Sequence, residues 1–132
     1  MSFMITRDDM PTHDAEAIFQ DRIMAVEVYK SLAEGRSLYD AARYAWKANL
    51  RRAKNLDYVL AVKDREIIGV FVPTEWLPAT PANFPDHPPT KHKRIGFVGD
   101  EASPEIQARY LGRLVPVKKR GDQSEFHYHG GG

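Results

Sequence analysis

From residue 14 to 34 the apolar positions Ala17, Ile18, Ile23, Val26 and Leu32, joined by Phe19 and Tyr29, recur at steps of three and four. That spacing predicts an amphipathic helix, and Gly35 stands where a left-handed cap would close it. A second helix is expected over 38–55. Ser37 can cap it, and Asp40 three residues later acts in the manner of a capping box. The run has no Pro or Gly and is rich in Ala, Leu, Arg and Lys, which favour helix. On such a helix Ala42, Trp46, Leu50 and Ala53 share one stripe, while Arg43, Lys47, Arg51 and Lys54 fall within a neighbouring arc of about 80°.

The pattern then changes. Two almost continuously apolar runs, 58–62 and 67–72, are separated by a polar break at 63–66. They read as a β-hairpin internal to the fold, buried on both faces or curled into a barrel. Residues 73–93 hold prolines at 73, 78, 81, 85, 88 and 89, a density that predicts a long irregular loop carrying Trp76 and Phe84. Downstream, 94–98 reads as a strand. Ser103-Pro104-Glu105 opens a helix that ends near Gly112. Residues 114–117 read as a strand, 118–122 as a basic turn and 124–128 as a last strand. The fold class is therefore α+β, with about three helices and a small, mostly antiparallel sheet or barrel. The expected organisation is a flexible N-terminus over 1–13, one domain over 14–129 and a flexible tail over 130–132.

Composition narrows the function. A chain of 132 residues that is 42% hydrophobic can bury a core of its own. It has no cysteine, which excludes disulfides, thiolate zinc sites and cysteine nucleophiles, and suits a reducing cytoplasm. No window approaches the roughly 20 apolar residues of a membrane span, so no membrane partner is expected. The net charge of +1 leaves only local charge to speak for a nucleic-acid partner.

Catalytic patterns are missing. The histidines are His13, His87, His92, His127 and His129, and the last two lie two apart on an expected strand. Without a third ligand or an HExxH pattern they imply no metal. The paired carboxylates Asp8/Asp9, Asp64/Glu66, Asp100/Glu101 and Asp122/Glu125 read as solvated turn residues. No nucleophile elbow, phosphate loop or dinucleotide fingerprint occurs, so no cofactor is expected. What remains is the basic stripe of Arg43, Lys47, Arg51 and Lys54, with Arg52 and Lys63 beside it and Lys118-Lys119-Arg120 as a second cluster. Such a row can track phosphates, and Trp46 or Trp76 could stack a base.

A resemblance points the same way. The run Tyr39-Asp40-Ala41-Ala42-Arg43-Tyr44-Ala45-Trp46-Lys47, then Arg51-Arg52-Ala53-Lys54, leads into Tyr58-Val59-Leu60-Ala61-Val62 and Ile67-Ile68-Gly69-Val70-Phe71. After Trp76 follow Gly96-Phe97-Val98-Gly99, Arg109-Tyr110-Leu111-Gly112 and Lys119-Arg120-Gly121-Asp122-Gln123, with Phe126 and Tyr128. Over 37–128 this resembles the companion segment that follows the catalytic domain in some GIY-YIG endonuclease-like proteins. More loosely it resembles the PUA-like group of EVE and ASCH domains. The GIY-YIG motif itself is absent, so no nuclease activity is implied. The PUA-like resemblance implies recognition of RNA, or of DNA with modified or flipped bases.

The expected function is thus a non-catalytic nucleic-acid-binding module, with Arg43, Lys47, Arg51, Lys54, Trp46 and Trp76 at its site and DNA or RNA as partner. Alternatives are a small-molecule or nucleotide-binding sensor or sequestering domain, a protein-interaction module using the proline-rich loop and the first helix, with a homodimer as one form of it, and an enzyme using His87, His92 and Asp86 of the long loop.

Overall fold

A computed structural model of the chain describes residues 21–44, 46–85, 87, 93–116 and 126–129. In chain order the elements are β1 (Ile23–Glu27), α1 (Tyr29–Ala33), α2 (Leu38–Arg43), α3 (Leu50–Ala53), β2 (Tyr58–Lys63), β3 (Glu66–Pro78), β4 (Ile95–Glu101), α4 (Pro104–Tyr110) and β5 (Phe126–His129). Among the described residues the strands form one open five-stranded sheet in the order β4-β3-β2-β1-β5. The architecture is α+β, and the sheet is mixed, because β1 runs parallel to β2 and every other pair is antiparallel.

Alternation of side chains gives the sheet two buried faces. One carries Met24, Val26, Val59, Ala61, Phe71, Trp76 and Phe97 against Ala41, Ala42, Trp46 and Ala53 of the α2–α3 segment. The other carries Ile23, Ala25, Leu60, Val62, Ile67 and Val70 against Tyr110 of α4 and Val115. A strand covered on both sides has no position to spare for a polar residue, which is why the β2 run is continuously apolar. Asp64 and Arg65, at φ 53° and 69°, make the tight turn between β2 and β3, a pair of left-handed residues whose twist suits a hairpin.

Three expectations need correction. Residues 23–27 of the first expected helix are β1, a central strand; four consecutive apolar residues satisfy helical spacing and a two-faced strand equally well, and pairing on both sides decides between them. Of its described residues only Tyr29–Ala33 are helical, and Gly35 at φ 88° closes that turn with Arg36 N–H donating to Ser31 O and Gly35 N–H to Leu32 O, a Schellman cap. The expected 38–55 helix is two helices. Between them Trp46 leaves the helical path to exchange two backbone hydrogen bonds of 2.9 Å with Ile95 of β4, while its indole N–H donates 2.7 Å to Ala42 O and caps α2. Asn49 then restarts the helix by accepting from Arg52 N–H. Finally, the 73–93 loop begins late. Residues 73–78 extend β3, and a bulge between Pro73 and Glu75 lets Thr74 donate to Val98 O at 2.9 Å.

The interval between Ser103 and Gly112 agrees with expectation: Ser103 accepts from Ile106 N–H, and Pro104 begins α4. Residue Leu114 forms only an isolated bridge to Glu66. The expectations for 1–20, for Asp86 and His92, for the basic cluster at 118–120 with its turn, and for the 130–132 tail lie outside the described residues. Among the described residues no helix is long and apolar enough to cross a membrane.

Candidate nucleic-acid interface

The break in the 38–55 helix decides where its cations go. Arg43 ends α2 and turns inward: its side chain is 16% exposed, its Nε lies 3.3 Å from Asp40 Oδ1, and its guanidinium packs over the rings of Tyr39 and Phe84. A cation neutralised and enclosed in this way is an internal tie, so the expected phosphate contact through Arg43 is withdrawn. Lys47, Arg51 and Lys54 are exposed. Ion pairs join Arg22 to Asp57, Arg43 to Asp40, His87 to Asp40 and Arg109 to Asp21, and these three cations enter none of them. They surround α3 rather than forming a row on one long helix.

Both tryptophans are core residues. Trp46 is 6% exposed and Trp76 5%, so neither offers a ring face on which a base could stack. Trp76 packs against Phe97 with ring centroids 5.2 Å apart, and its indole nitrogen is buried without a hydrogen-bond partner. Its edge nevertheless contributes to a surface hollow of about 220 Å³, lined also by Lys54, Leu56, Pro73, Thr74 and Glu75. The structure thus brings two of the six expected residues, Lys54 and Trp76, to one concavity.

A residue treated as a neighbour in the sequence proves more informative. Arg52 is exposed, and its guanidinium carbon lies 3.8 Å from the centroid of the Tyr128 ring on β5. Burial pushes the Tyr128 hydroxyl above the usual tyrosine range, with Arg52 and the Asn49 amide opposing that shift. The pairing was hidden in the sequence because it joins residues 76 positions apart.

The loop histidine has a different role. His87 is stacked on Tyr44 at 4.2 Å, its Nδ1 faces the Arg36 guanidinium at 3.1 Å and its Nε2 faces Asp40 at 3.5 Å. Since Arg36 can only donate, Nδ1 accepts, and the ring proton sits on Nε2 toward Asp40. Burial holds His87 below the usual histidine range, reinforced by Arg36 and Arg43 and opposed by Asp40. With both nitrogens engaged and the side chain 1% exposed, it clasps the loop to α2 and offers no basic nitrogen to a substrate. No group of three or more His, Cys, Asp or Glu residues among those described could hold a metal ion.

Compared with known proteins, the chain matches no family model, no curated protein and no solved structure.

Proposed function

We propose that this chain is a non-catalytic nucleic-acid-binding module that holds phosphates through Lys47, Arg51 and Lys54. The observation that carries the reading is the placement of these three exposed cations, free of ion pairs among the described residues, on and beside one short helix, with Lys54 lining the adjoining hollow. Unpaired cations keep their full attraction for phosphate, since no carboxylate must be displaced and each contact releases condensed counterion. The PUA-like resemblance belongs to the same proposal, supported by the passage from α2 and α3 into the β2–β3 hairpin of an open sheet. A reducing cytoplasm is the proposed setting, suited to a chain without cysteine.

A nucleotide- or small-molecule-binding role is the second reading; the hollow lined by Lys54 and Trp76, at about 220 Å³, is smaller than the roughly 300–1,000 Å³ of typical ligand pockets.

The deciding experiment is titration of labelled DNA and RNA with the full chain and with the triple variant Lys47→Glu, Arg51→Glu, Lys54→Glu, whose fold is checked by circular dichroism. The parent should bind, more weakly as salt rises, and the folded variant should lose at least tenfold in affinity. Equal binding by both would refute the assignment.

A further inference from the structure

We infer that the ligand of this surface is single-stranded, with one unpaired base stacking on a platform made by Arg52 lying on Tyr128. The inference rests on the nucleic-acid reading above and specifies its substrate class.

Two observations converge on it. The first is what the described elements lack for reading a duplex. Base readout in the major groove requires an inserted helix or a two-stranded ribbon. Among the described helices α3 has four residues, α1 five, α2 six and α4 seven, so even the longest extends only about 10 Å. The β2–β3 ribbon lies inside the sheet, and helices cover both sheet faces. None of these elements can enter a groove.

The second is the platform itself. A guanidinium is planar, and bases stack on arginine planes as they do on aromatic rings. Arg52 rests on the Tyr128 ring at 3.8 Å, and Tyr128 is held in turn by Phe126, with ring centroids 5.7 Å apart. Asn49 fixes the helix turn that carries Arg52 through its 3.0 Å bond to the Arg52 amide. Arg52 is thus supported from below, exposed to solvent, and flanked in sequence by Arg51 and Lys54. A base needs such a surface, and only an unpaired base can reach it.

The test uses the full chain, a labelled 12-nucleotide DNA or RNA strand, and the same sequence as a duplex. The parent should bind each single strand at least tenfold more tightly than the duplex. Arg52→Lys keeps the charge and removes the plane, and should weaken single-strand binding roughly five- to a hundredfold while leaving the salt dependence unchanged. Tyr128→Phe keeps the ring and should bind as the parent does. If Arg52→Lys binds single strands like the parent, or if duplex and single strand bind equally, the platform is wrong while the phosphate contacts stand. If the Lys47/Arg51/Lys54 variant also keeps its affinity, or the parent binds no nucleic acid, both readings fall together.

Discussion

Trp46 and Trp76 are equally buried, yet one indole N–H is satisfied and the other is not. Trp46→Phe leaves the Ala42 carbonyl unpaired and should cost about 1–3 kcal/mol. Trp76→Phe removes a donor that has no partner and should cost less than Trp46→Phe. Urea denaturation midpoints of the two variants compare them directly, and equal losses would contradict the difference in bonding. His87 supplies a second prediction at this scale. Its folded-state pKa lies below the unfolded value, so its contribution is complete above about pH 6.5 and is lost as pH falls through the folded value. Thermal melts between about pH 8 and 5 should show this decline, and His87→Leu should flatten it.

At the level of elements, α2 and α3 depend on short polar caps and close contacts. Asn49→Ala should cost about 1 kcal/mol and lower nucleic-acid affinity without touching a charge, because it loosens the turn holding Arg52. A Cβ at Gly96 would stand 2.6 Å from Arg43 O, and at Gly99 2.0 Å from Val72 O. Both obstacles are backbone and cannot swing aside, so Gly96→Ala and Gly99→Ala should each destabilise by about 1–3 kcal/mol, Gly99→Ala the more, as read by chemical unfolding. The sequence announced the β2–β3 hairpin, the Ser37 and Ser103 caps and α4, because those signals are local. It also grouped Ala42, Trp46 and Ala53 on one apolar stripe, and all three are buried whether their segment is one helix or two, which removes Trp46 from the base-stacking role expected of it. The break at Tyr44–Trp46 was illegible: its cause is Ile95, forty-nine residues away, whose backbone outcompetes the helical path. The Arg52–Tyr128 contact and the inward turn of Arg43 were hidden for the same reason.

For the molecule as a whole, a net charge of +1 means that the proposed binding must come from a local patch. The three proposed phosphate contacts of Lys47, Arg51 and Lys54, with the charge of the Arg52 platform beside them, give a single-strand slope of about −2 to −3 in log affinity against log salt. Raising salt from about 50 to about 200 mM should therefore weaken binding roughly twenty- to fifty-fold, and isothermal titration across that range measures it. The sheet also ends in a way that matters beyond recognition. Along the outer side of β4, Trp46 pairs with Ile95 and the Tyr39 hydroxyl accepts from Gly99 N–H. These plugs occupy the very groups through which an extended foreign segment would add itself to the sheet. Tyr39→Phe uncovers one of them, and the expected cost is colloidal: a greater tendency to form fibres on prolonged heating, beyond any loss of melting temperature.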